Sequence, residues 1–128
     1  MSKSDFLENA LLNHSLRNIP YTPPATLYVG LFLSTASDSA PGTEPVGNGY
    51  VRQVVTFGAP SGGSCSNTNA IAFPAATPSG YGTVIAAGLF DAPTGGNYLR
   101  NLQVLTPRTI QAGDAAAFAA GTIVVTED

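Results

Sequence analysis

In the run Thr26-Leu27-Tyr28-Val29-Gly30-Leu31-Phe32-Leu33, Leu27, Val29, Leu31 and Leu33 share one face of an extended chain, and Tyr28 and Phe32 share the other. Side chains alternate across a strand, so apolar residues on both faces mark a strand covered on both sides, and therefore a central one. Outward from it, strand-like runs alternate with Gly, Pro, Ser and Asn clusters: Tyr50 to Phe57, Ala70 to Phe73, Gly82 to Phe90, Tyr98 to Thr106, Thr109 to Ile110, Ala115 to Ala119 and Thr122 to Thr126. Gly47-Asn48-Gly49, Pro60-Ser61-Gly62-Gly63, Pro78-Ser79-Gly80, Pro93-Thr94-Gly95-Gly96-Asn97 and Ala112-Gly113-Asp114 supply turn chemistry between them. About seven or eight short strands at this spacing predict a mainly β fold, a single antiparallel β-sandwich or flattened barrel.

Ahead of the strands, Phe6, Leu7, Ala10, Leu11, Leu12 and Leu16 recur at helical spacing and predict one N-terminal α-helix from about Ser4 to Asn18. Ser2 or Ser4 caps its start, Asp5 and Glu8 suit the positive end of its dipole, and Pro20, Pro23 and Pro24 end it. The expected organisation is a helical arm over residues 1–20 and a β-sandwich domain over residues 21–128. No internal repeat is visible, which argues against a solenoid or a fibrous shaft.

Of the 128 residues, 44% are apolar and only 10% are charged, against roughly 25% charged in ordinary soluble domains. A folded chain with so little charge is expected to hide surface in an assembly, so a homo-oligomer is expected. A net charge of −3 lacks the basic footprint that phosphate neutralisation needs, which disfavours nucleic acid. The short apolar stretches provide no membrane span, and Asp5 and Glu8 interrupt any signal-like segment within Met1 to Asn18.

The chemistry of a catalytic site is sparse. His14 is the only histidine and Cys65 the only cysteine, so a Ser-His-Asp set has a single imidazole to draw on, no histidine stands near Cys65 in sequence, and no intramolecular disulfide is expected. Asp91 and Asp114 stand where turns need backbone acceptors. Asp38 and Glu44 offer oxygens to calcium without any loop signature. No enzyme activity, cofactor or metal is expected. The aromatic residues, spread evenly from Phe32 to Phe118, read as core rather than as a sugar or base platform.

Interface candidates follow from reach and scarcity. Phe6, Leu7 and Leu11 are the apolar residues of the helix, and Asp38 and Glu44 lie in the segment 34–47, the longest without periodicity. Arg52, Arg100 and Arg108 are the cations of the β region, suited to bidentate carboxylate contacts. The acidic C-terminal tail is a further candidate.

Several stretches together resemble a family of short virion structural proteins of tailed bacteriophages, the tail-fibre-like or head-decoration proteins. They are Ser4-Asp5-Phe6-Leu7-Glu8-Asn9, Tyr21-Thr22-Pro23-Pro24-Ala25-Thr26-Leu27-Tyr28-Val29, Gly49-Tyr50-Val51-Arg52-Gln53 and Val55-Thr56-Phe57-Gly58-Ala59-Pro60. Ser66-Asn67-Thr68, Ile71-Ala72-Phe73-Pro74, Gly82-Thr83-Val84, Gly88-Leu89-Phe90-Asp91 and Gly95-Gly96-Asn97 continue the likeness. Tyr81, where the family pattern has tryptophan, and Ala86-Ala87, where it has a polar pair, depart from it. The resemblance implies virion incorporation, and the lack of a signal-like segment or membrane span makes assembly in the host cytoplasm the expectation. The reading preferred on sequence is a capsid cement protein on the outer surface of the major capsid protein lattice, with a trimer suggested; the alternative is a tail fibre or baseplate component involved in host attachment.

Overall fold

A computed structural model describes residues 3–127. Helix α1 (Asp5–Leu16) precedes β1 (Leu27–Phe32), β2 (Gln53–Val55), β3 (Ser64–Ser66), β4 (Ile71–Ala72), β5 (Gly82–Phe90), β6 (Tyr98–Ile110), β7 (Ala117–Phe118) and β8 (Val124–Thr126). An antiparallel sheet runs β2-β1-β5-β6, and two antiparallel ribbons pair β3 with β8 and β4 with β7. The fold is thus mainly β and sandwich-like, with open sheet edges rather than a closed barrel.

The alternation in β1 positions the core as its residues dictate. Val29 and Leu31 join Val55, Val84, Leu89, Leu99 and Leu102 in the main cluster, which Ile71 of β4 and Ile123, just ahead of β8, complete. On the opposite face Phe32 packs edge-on against Phe90 and Tyr98, ring centroids 5.9 Å from each. Gly88 lies beneath this group because a Cβ there would collide with the Phe32 ring. Burying a Phe or Leu side chain contributes about 1.5–3 kcal/mol each, so the two faces together make β1 the thermodynamic centre of the sheet.

The helix is shorter than the sequence predicts, ending at Leu16 instead of Asn18. Ser4 caps it, its Oγ accepting from Leu7 N at 3.3 Å and donating to Tyr98 O at 2.6 Å. Ser2, the other capping candidate, lies outside the described residues. Leu7 is buried in the main cluster and Leu11 packs against it, whereas Leu16 is 76% exposed.

Ala70 to Phe73, Ala115 to Ala119 and Thr122 to Thr126 contract to β4, β7 and β8, and three further strand assignments differ more deeply. Tyr98 to Thr106 and Thr109 to Ile110 form one strand, because β6 is an edge strand in which Pro107 lies within a bulge, between the pairs Val84↔Arg108 and Ala86↔Val104. Ser64–Ser66, read from sequence as a loop, pairs with the C-terminal segment. Tyr50 to Phe57 contracts to Gln53–Val55, since the chain leaves the sheet at Arg52.

Each outer edge of the sheet is engaged in its own way. The Asn69 side chain acts as a peptide group beside β2, its Oδ1 accepting from Thr56 N at 3.0 Å and its Nδ2 donating to Val54 O at 3.1 Å. Lys3 bridges Arg100, and Ser4 N donates to Leu99 O at 2.7 Å, covering the start of β6. Pro107 removes a donor farther along.

Candidate functional site

The hairpin end of the sheet gathers the segment 34–47, Arg52, the β5–β6 turn and the start of α1. Where β2 ends, Leu31 N has no strand partner, and the Tyr50 hydroxyl accepts it at 2.9 Å while donating to Glu44 Oε2 at 2.6 Å. Arg52 Nη2 stands 2.6 Å from Glu44 Oε1, and its Nε reaches Oε2 at 3.0 Å. Its Nη1 donates to Ala92 O at 2.8 Å and Gly95 O at 2.9 Å, and the guanidinium stands 3.6 Å from the Phe90 ring centroid. The Arg52 side chain is only 8% exposed. One cation therefore ties the long loop, β5 and the hairpin turn together.

Gly30 makes this possible. A Cβ there would stand 2.8 Å from Glu44 Oε2 and 2.9 Å from Phe90 Cε2. Burial, reinforced by the hydrogen bond to Glu44, pushes the Tyr50 phenol well above its usual range. Tyr98, nearby, is pushed up to about 12 by burial and the Asp38 charge.

Three shallow grooves surround this rigid turn. One of about 420 Å³ is lined by Asp5, Phe6, Asp38, Arg52 and Tyr98. A second, about 670 Å³, is lined by Phe6, Tyr21, Pro23, Tyr28, Asp91 and Asn97. The third, about 280 Å³, lies between Val46, Tyr50, Val51 and Pro93. Phe6, 44% exposed, forms the ridge between the first two, and Val46 is 89% exposed. Asn97 N and Nδ2 both donate to the Asp91 carboxylate, at 2.7 and 2.9 Å, so the turn is held from within.

The sequence-based candidates divide by place. Phe6 and Asp38 are exposed at the hairpin end, where Glu44 and Arg52 hold each other. Leu7 and Leu11 face their own sheet. Arg100 is buried and donates from Nη2 to Glu127 Oε1 at 2.8 Å, and Lys3 Nζ meets the same carboxylate at 2.8 Å. Those hydrogen bonds, Lys3 first and Arg100 second, hold the Glu127 carboxyl below its usual range. Of the acidic tail, Glu127 is thus bound internally and Asp128 lies outside the described residues. Arg108 is exposed at the opposite end of β6, on the rim of an apolar recess of about 210 Å³ formed with Leu31, Val84, Leu105, Ile110 and Phe118.

Sequence reasoning missed Tyr50 as the link between Glu44 and β1. The signal for it was Gly30, an unfilled position in an otherwise apolar alternation. Among the described residues, no three His, Cys, Asp or Glu side chains gather where a metal ion could bind, and no helix is long and apolar enough to cross a membrane. His14 Nδ1 accepts from Tyr21 N at 3.3 Å, at the end of the helix.

No curated protein matches the chain. The family model described as podophage GP4 fiber I protein gp80 matches residues 2–126, nearly the full length, and the chain therefore belongs to this family of phage virion structural proteins.

Proposed function

We propose that this chain is a building block of a tail fibre of a tailed phage, serving host attachment by assembly and binding rather than by catalysis. The observation that carries the reading is the fibre family's match over residues 2–126. That description favours the tail alternative over the capsid cement preferred on sequence. The hairpin end suits such a role, because exposed Phe6, in the first turn of α1, and exposed Val46, in the segment 34–47, flank the β5–β6 turn that Arg52 and Asp91 hold in place. A non-catalytic role is supported by the placement of His14 at the helix end and of half-buried Cys65 in β3, opposite Val125 of β8, neither of which meets a catalytic partner among the described residues.

Copy number tests the assignment. A fibre component is expected in small multiples of three or six per virion, and labelled antibody should decorate the tail. Hundreds of copies spread over the head would overturn the fibre reading in favour of cement.

A further inference from the structure

We infer that copies of this chain dock head to tail, the Phe6 ring of one entering the Arg108-rimmed recess of the next while Asp5 and Asp38 face that arginine. The inference stands whatever part of the virion holds the chain, so its failure leaves the fibre reading untouched.

Phe6 is an anchor presented rigidly. It sits in the first turn of α1, which Ser4 fastens to Tyr98 O and Leu99 O and which Asp5 N fastens to Asp38 O at 2.7 Å. Rigid exposed aromatics that enter a pocket dominate many interfaces. The recess at the far end is walled by Leu31, Val84, Leu105, Ile110 and Phe118 and measures about 210 Å³. A dry cavity of about 150 Å³ accepts benzene, so the recess has volume enough for a phenyl ring.

Charge selects the same pairing. Lys3, Arg52 and Arg100 are each joined to a carboxylate within the chain, and Arg17 to Asn13. Among the described residues Arg108 has no carboxylate partner, and exposed Asp5 and Asp38 have no cationic one. Asp5 and Asp38 border Phe6 and Arg108 borders the recess, while Asp114, the other exposed acid without a cation among the described residues, accepts from Gln111 N in the turn after β6. Attraction between the ends of two molecules satisfies both and sets their orientation.

The patches lie at opposite ends of β6, roughly 30 Å apart at the rise of an extended strand. A contact between two different patches is heterologous, and repeats in one direction unless rotation closes it. Strand addition is disfavoured, because Asn69 occupies the edge of β2, and Lys3, Ser4 and Pro107 interrupt that of β6.

Sedimentation velocity on the purified full chain and two variants tests this. Wild type is expected to grow with concentration into a ladder of oligomers. Phe6→Asp, which spoils one end, and Arg108→Asp, which spoils the other, should each stay monomeric, with Kd raised about 30-fold or more and melting curves like wild type's. Mixed, they should form a one-to-one dimer that grows no further, since each supplies the end the other lacks. A mixture that stays monomeric overturns the inference, as does association of either variant at wild-type strength. So does a wild-type chain that stays monomeric or closes into a trimer insensitive to both changes, which would leave the recess to another virion protein.

Discussion

Arg52 Cζ stands 3.6 Å from the centre of the Phe90 ring, and the same guanidinium holds Glu44 through an Nη2–Oε1 contact of 2.6 Å. Removing the cation leaves a half-buried carboxylate against an aromatic face. Arg52→Ala should therefore cost about 3 kcal/mol, whereas Arg52→Met with Glu44→Gln should cost less than Arg52→Ala alone. Chemical denaturation measures both, and amide exchange should rise across residues 34–47 in Arg52→Ala. A loss below that of the double variant would show that the pair does not hold the loop.

Gly88→Ala should destabilise by about 1–3 kcal/mol, because its methyl group meets the Phe32 ring. Phe32→Leu has its own cavity cost, yet Gly88→Ala should cost less on that background. A double-mutant cycle read by urea unfolding checks the coupling; additive losses would refute it.

Asn67 is buried, with Nδ2 donating to Asn69 O at 2.8 Å and Ala119 O at 3.2 Å and Oδ1 accepting from Ile123 N at 2.9 Å. Asn67→Ala strands these groups, and a loss of about 2–3 kcal/mol is expected. A thermal shift close to zero would mean that water replaces the amide.

Stability should fall at both extremes of pH. The Glu127 carboxyl is depressed, so its contribution is full above the ordinary value of 4.5 and is lost as pH falls through the depressed one. The Tyr98 phenol is raised to about 12 from 10.0, so its contribution is full below pH 10 and is lost as pH rises toward 12. Tyr98→Phe should reduce the alkaline loss in melting temperature, Tyr50 carrying a share of its own, and Glu127→Gln should reduce the acid loss. Unchanged pH profiles in these variants would contradict the assignments.

The alternation in Leu27 to Leu33 was enough to place the central strand, because two apolar faces admit no other position. Gly82 to Phe90 reads equally plainly, with turn residues at both ends. Pro107 misled because a proline normally stops a strand, and only pairing to β5 reveals an edge with a bulge that absorbs it. At the hairpin end the sequence identifies Glu44 and Arg52 as separate charges eight positions apart. Their union depends on Gly30 and on the depth to which the long loop folds across the sheet, which no local pattern encodes. Arg100 was likewise legible as a scarce cation, but its partner Glu127 is distant in sequence.

The amide of Asn69, seated on the rim of β2 like a borrowed peptide unit, bears on how the chain survives at high local concentration. An unfilled rim invites cross-β growth between molecules, which is hard to reverse. With Val54 O and Thr56 N already satisfied, aggregation by that route first requires the side chain to swing away. Asn69→Ala should thus shorten the lag before thioflavin-positive fibrils appear far more than it lowers the melting temperature.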